Sequence, residues 1–289
     1  MHMKRWMFTV LIIFFAGVFL TSAGVLGKYF WDSYIQRRQQ DQIVDMVDRP
    51  ATRPAIAPTA ASVPEQTTAP TESAPPTETT APYEYVTVTD PVTGQTRQIM
   101  QEYEELYLLN PHLVGWIQIP GTAVNYPVLQ NSAETDYYLY KDIYREYSRH
   151  GSIYVRESCD VFAPSDNVTI YGHKMKDGSM FAALNDYEDK AFFEDHRFIY
   201  FDTLEQYHTY EVLSVFITTA VKGQGFRYHA FENAADAGEF DSFVETCKAL
   251  SLYDTGVSAQ YGDKLICLST CNYNIDNGRL VVVAKRITN

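Results

Sequence analysis

The sequence predicts a mainly β (α+β) fold, a closed or nearly closed barrel of about eight strands decorated by helices. Two observations predict it. Short runs rich in Val, Ile, Tyr, Phe and Thr recur from Val114 onward with turn residues between them, and only a few amphipathic helical stretches interrupt them. A strand set this large must protect its edges, and closure removes them.

The elements follow in chain order. From Met7 to Leu26 the chain reads MFTVLIIFFAGVFLTSAGVL, uncharged throughout. As a helix rising about 1.5 Å per residue, it covers the roughly 30 Å hydrocarbon core of a bilayer. We therefore expect a short cytoplasmic N-terminus over 1–6, a single-pass transmembrane anchor over 7–27 and a juxtamembrane segment, helical in pattern, over 28–48. The apolar run exceeds the roughly 7–15 residues of a secretory h-region, which favours an uncleaved anchor over a cleaved signal. Lys4 and Arg5 favour a cytoplasmic N-terminus, yet Lys28, Arg37 and Arg38 flank the other side, so the charge rule leaves orientation open.

Residues 49–82 are dominated by Pro, Thr, Ala, Ser and Glu, with almost nothing large and apolar to bury. This composition predicts a disordered, semi-stiff linker able to hold a domain off the membrane. The folded domain then spans 83–289. Gln101–Asn110 (QEYEELYLLN) has helical spacing and is ended by Pro111. The strand runs are VGWIQIP, VNYPVLQ, GSIYVRE, NVTIYGH, RFIYFDT, HTYEVLSVFITTA, KLICLSTC and RLVVVAKRI. Helical stretches are expected at Met180–His196 and at Phe231–Leu250, the second an insertion before the KLICLSTC strand.

Composition bounds the function. A 289-residue chain with a net charge of −13 holds one sizeable domain plus appendages. Without a cluster of Lys and Arg to displace phosphate counterions, nucleic acid is excluded as a partner. Four cysteines are too few for a disulfide framework. Cys267 and Cys271 lie four residues apart in one strand, about 13 Å, too far to share a zinc ion or a disulfide. No metal or other cofactor is called for. Cys159 and Cys247 read as small unreactive side chains.

Cys271 ends its strand and precedes the polar loop NYNIDNG, after which a strand starts at Arg279. If the two strands pair as a hairpin, Cys271 faces Arg279 across the loop mouth. A fixed cation there lowers a thiol pKa and stabilises the oxyanion formed when a thiolate attacks a carbonyl. In isolation, Arg279 reads equally as a solvated charge at a strand start. His173 closes an apolar strand and meets the polar residues KMKDGS, a position suited to a general acid and base. The other histidines have simpler places: His150 in a turn before Gly151, His112 after a helix stop, His196 closing a helix, His208 and His229 on exposed strand or loop.

The segments NVTIYGHKMKDGSMFAAL and KLICLSTCNYNIDNGRLVVVAKRI, with NPHLVGWIQIPGTAVNYPVLQNSAETDYYLYKD upstream, resemble a class B sortase of Gram-positive bacteria from about Gln101 onward. The resemblance implies an eight-stranded sortase barrel with an N-terminal helix, over the catalytic domain 83–289, and a catalytic set of His173, Cys271 and Arg279. It implies transpeptidation without a cofactor: the Cys thiolate cleaves a C-terminal sorting motif of a secreted protein at its Thr, holds the acyl group as a thioester, and passes it to an amine of peptidoglycan precursor or of a pilin. It also implies a catalytic domain outside the cytoplasm, held by its anchor in the cell membrane. Ser269 and Thr270 are expected in the substrate groove, their hydroxyls on the substrate backbone, with Leu139 and Thr135 also lining it. Many relatives carry Thr or a similar residue where this chain has Cys267, expected here to pack in the wall. Two rivals stand beside this reading. A cysteine hydrolase or peptidoglycan amidase would send the thioester to water, but such enzymes usually place Cys before His. A non-catalytic wall-associated binding module would share the anchor and linker.

Overall fold

All eight of the expected β-type runs become strands of one barrel. The computed structural model describes residues 5–47, 84–91 and 93–287, and the expected linker over 49–82 lies outside them. The barrel strands are β3 (Leu113–Gln118), β4 (Asn125–Leu129), β5 (Ile153–Val155), β6 (Asn167–Tyr171), β7 (Phe198–Thr203), β8 (Thr209–Thr219), β9 (Leu265–Asn272) and β10 (Gly278–Ile287). They close in the order β10-β8-β7-β3-β4-β5-β6-β9, with β9 paired back onto β10. Pairing is antiparallel except for β4 with β5 and β6 with β9.

A hairpin outside the barrel, β1 (Tyr85–Thr89) with β2 (Thr96–Met100), escaped the sequence reading although YVTVT alternates and Gly94 marks its turn at φ +70°. It buries Val88, Ile99 and Met100 beside α2 (Glu104–Leu109), the core of the expected 101–110 helix, which a single 3-10 turn precedes. The 180–196 stretch splits into a 3-10 run, Ala182–Glu188, and a short helix, α3 (Lys190–Asp195). Asp189 makes the break by capping Ala191 N at 2.9 Å. In the insertion only α4 (Ala237–Leu250) is helical, because Asp236 caps Glu239 N at 2.9 Å and so starts the helix there.

Period-two alternation sorts the strand residues into two cores. Ile266 and Leu268 of β9, Val168 and Ile170 of β6, and Leu280 and Val282 of β10 face the barrel interior. Their neighbours Leu265, Cys267, Val281 and Val283 face outward and are covered by Phe240, Phe243, Val244 and Cys247 of α4.

One unbroken helix, α1 (Arg5–Asp45), runs through both the apolar span and the juxtamembrane segment. It is long and apolar enough to cross a membrane, and none of the described residues covers its apolar stretch. Its other end docks on the barrel. Gln40 Nε2 donates to Asn125 O at 2.6 Å, and Arg37 Nη2 to Asp177 O at 3.2 Å. Ile43 and Val47 are buried in the same core cluster as Val88. Residues on the two sides of the 48–83 segment, Ile43 and Val47 before it and Val88 after it, thus share one core.

Candidate active site

Strand parity and register assemble the site. Cys271 has the outward parity of Cys267 on β9, and in the β9–β10 register it stands opposite Arg279. The parallel pairing of β6 with β9 puts Tyr171 beside Ser269, so His173 and Cys271 each lie two residues beyond a matched pair. All three side chains leave the outer wall at one end of the barrel. They line one cleft of about 770 Å³ together with Leu139, Ser269 and Thr270.

His173 is held from behind. Its Nε2 lies 2.7 Å from the carbonyl of Leu139, which can only accept, so the bond assigns the proton to Nε2 and leaves Nδ1 as the basic nitrogen of the neutral ring. Tyr140 packs against the ring at 5.4 Å between centroids. The preceding residue must be glycine, because a Cβ on Gly172 would meet the Phe181 ring at 2.7 Å. Gly151 lets a second loop reach the same carbonyl: its φ is +58°, and a Cβ there would overlap Leu139 O.

Cys271 is half-buried, and the other three thiols are buried. Burial pushes the Cys159 thiol up to about 11 and raises those of Cys247 and Cys267 further. Cys267 is fully enclosed under α4, as a wall residue should be. The Arg279 guanidinium is turned onto its own loop, with Nη1 donating to Gly278 O at 3.0 Å.

Ser269 and Thr270 sit in the cleft wall, but their hydroxyls already have protein partners. Ser269 Oγ shares a 2.6 Å bond with the Tyr228 hydroxyl, and Thr270 Oγ1 donates to Gly172 O at 2.8 Å. Burial pushes the Tyr228 phenol up to about 12 even against the Ser269 bond, so it keeps its proton. Thr135 is not brought together with the others: it is exposed, outside the cleft lining, and bonded to Glu157 at 2.9 Å. Its neighbour Asp136 reaches the lining instead, held at φ +55° with its carboxylate accepting from Tyr154 at 2.8 Å.

Sequence reasoning missed the far wall of the cleft, formed by the end of β8 and the segment that follows it, including Lys222, Arg227, Tyr228 and His229. The run FRYH carried a signal, since aromatic and basic residues between a strand end and a helical insertion suit a binding loop. Asn272 was also missed. It is buried beside Cys271, and its Nδ2 donates to Glu188 at 2.8 Å, tying the strand end to the 3-10 run.

A family model described as "Sortase domain" matches residues 117–287, more than half of the chain. Sortase B of Staphylococcus aureus is 36% identical over 191 residues, which are 65% of this chain and 76% of that protein. The solved structure of sortase B from B. anthracis in complex with AAEK1 is similar at a TM-score of 0.65 and 29% identity, over 90% of this chain and 100% of that one. The Staphylococcus aureus sortase B–substrate complex is similar at a TM-score of 0.60 and 32% identity, over 66% and 86% respectively. Barrel, family model and relatives agree: this chain belongs to the sortase family, in class B, and is a cysteine transpeptidase.

Proposed function

We propose that Cys271 is the nucleophile, His173 the acid and base, and Arg279 the cation that steadies the oxyanion, in transfer of a sorted protein onto a cell-surface amine. The observation that carries this reading is the double register of β9, against Arg279 on one side and toward His173 on the other. The substrate is the C-terminal sorting motif of a secreted protein, a reading supported by the substrate complex of the S. aureus relative.

The steps follow from the residues. The Cys271 thiolate attacks the carbonyl carbon of the motif's Thr, and Arg279 swings from Gly278 O to meet the oxyanion. Protonated His173 gives a proton to the leaving amine, the C–N bond breaks, and a thioester remains on Cys271. An amine of peptidoglycan precursor or of a pilin then attacks the thioester. His173 takes its proton, and the thiolate leaves. The thioester keeps the acyl group activated, so no nucleotide, metal or other cofactor enters either step. Half-buried Tyr171 and Leu139 give one side of the cleft an apolar wall, while Lys222 and Arg227 make the far wall basic.

In the same proposal α1 is the single-pass anchor in the cell membrane, with the catalytic domain outside the cytoplasm. Its length, composition and uncovered apolar stretch support this.

The test offers the full chain, in detergent micelles, a library of short peptides with triglycine or a diamino acid as acceptor, and identifies products by mass spectrometry. An acyl adduct on Cys271 and an amine-exchanged peptide are expected. Exchange that survives Cys271→Ala, or no adduct with any peptide, overturns the assignment. A product formed only with water would place the chain with the hydrolases.

A further inference from the structure

Behind His173, two loops form a closed ring of contacts. The first runs from His173 to Phe181 and is a tight hairpin: Phe181 N donates to His173 O at 2.9 Å, and Lys174 bridges Met180. Asp177 stands at its tip. Both the amide and the hydroxyl of Ser179 donate to Asp177 Oδ1, at 3.1 and 2.6 Å, which aims Oδ2 away from the turn. The second loop holds the Leu139 carbonyl. Ser148 N donates to Tyr140 O at 3.0 Å and Ser152 N to Tyr138 O at 3.1 Å, so residues 148–152 brace both sides of Leu139.

The two loops meet twice. At one end His173 Nε2 bonds Leu139 O. At the other, His150 Nε2 faces Asp177 Oδ2 at 3.6 Å, with the two side chains only 7% and 9% exposed. Neither atom has a hydrogen-bond partner among the described residues, so each is the other's compensation in a low-dielectric setting. Arg37 of α1 closes the tip from outside through Asp177 O.

We propose that His150 and Asp177 are a positioning pair that holds the His173 hairpin against the Leu139 loop, keeping the His173 ring aimed for proton transfer. This rests on His173 being the acid and base proposed above. Neither residue touches the reacting atoms. Their effect runs through the ring of contacts, because the hairpin has no other buried polar tie at its tip to the loop that carries Leu139 O among the described residues. Burial lowers the His150 pKa, and Asp177 opposes that only in part.

The test uses the full chain in detergent micelles with an exchangeable peptide and triglycine. Asp177→Asn keeps the shape and an acceptor for Ser179 but removes the charge facing His150. His150→Gln removes the ring. Each is expected to lower kcat by about tenfold or more, within the roughly hundredfold that a ~1 Å misplacement can cost, with KM within about twofold. Each should also shift the 15N ring signals of His173 through its tautomer population. Lower melting temperatures with kcat within about twofold of wild type and unmoved His173 signals would overturn the proposal, leaving a structural pair only. Should neither variant fold, Ser179→Ala decides: it removes the hydroxyl bond that aims the Asp177 carboxylate, leaving the amide bond on Oδ1 and both members of the pair, and His173 signals that move support the proposal, whereas unmoved signals overturn it. His173→Ala runs alongside. Transfer that survives it sinks the acid–base reading itself, whereas transfer abolished there but intact in both pair variants sinks only the positioning role.

Discussion

Thr270 Oγ1 donates to the carbonyl of Gly172 at 2.8 Å, so the residue before the nucleophile is bonded to the residue before the histidine. The pair lies inside the wall of the barrel, where Thr270 is 2% exposed. This bond sets the spacing of β6 and β9 at the level where both carry their functional side chains. Thr270→Val keeps the shape and removes the donor. We expect a stability loss of about 1–3 kcal/mol from the unsatisfied carbonyl, measured by urea unfolding. Acyl-enzyme formation should slow as well, and Thr270→Ser should restore most of both.

Gly151 is the point where the second loop touches the Leu139 carbonyl. Gly151→Ala puts a Cβ into that carbonyl at a positive φ and should cost roughly 1–3 kcal/mol. The strain falls on the acceptor of the His173 bond, so transfer should fall more than peptide binding does. Thermal melts and separate kcat and KM values check this.

The four thiols should react in a fixed order. Cys271 alone is half-exposed, whereas Cys159, Cys247 and Cys267 are buried with thiols pushed up by desolvation. Iodoacetamide at neutral pH should give a single adduct on Cys271, read by peptide mapping, with the other three labelled only in denaturant. Equal labelling of Cys267 would contradict its place under α4.

Stability should fall on mild acidification. His112, His150 and His229 are each held below the ordinary 6.5 by burial, with Arg145 adding to the effect at His112 and Arg156 at His229. Their folded-state pKa values lie below the unfolded ones, so the unfolded chain takes up protons first as pH drops. The contribution is fully present above about pH 6.5 and is lost as pH falls through the folded values. Burial raises the Asp177 pKa, but the two Ser179 bonds and His150 together lower it on balance, so it adds a second loss with the same sign below the ordinary carboxylate value of 3.8. A melting temperature that declines from about pH 7 to about pH 5, with a shallower slope in His112→Gln, is the expected record. A flat profile would contradict it.

Deletion of residues 55–78 should leave transfer and melting temperature nearly unchanged. Ile43 and Val47 share a core with Val88, so the domain is attached to α1 by packing on both sides of the 48–83 segment. Peptide exchange by the deleted chain in micelles measures this. A large loss would show that the segment itself takes part.

Much of this protein was legible locally. Period-two runs of β-branched and aromatic residues marked all eight barrel strands, because a strand half-buried on a core repeats every second residue. The Cys271–Arg279 pair was legible for the same reason, since a hairpin's register follows from the loop between its strands. The breaks at Asp189 and Asp236 were written in the sequence too, as cap residues, though the apolar spacing around them concealed where helix begins.

Contacts between distant segments could not be read that way. His173 reaches the level of Cys271 only through the parallel pairing of β6 and β9, strands separated by β7, β8 and α4, and no local pattern encodes a parallel partner. The hydroxyls of Ser269 and Thr270, expected to face substrate, are bonded to Tyr228 and Gly172, partners that chain closure supplies. His150 reads as a turn residue before a glycine, yet it is buried against Asp177 because two loops fold onto one another behind His173. The sequence by itself determined the strands, the nucleophile's hairpin and the apolar helix, since each is set by the periodicity of a short segment. Only the tertiary structure decided which residues stand around Cys271, because closing a barrel joins segments whose order along the chain says nothing about their distance in space.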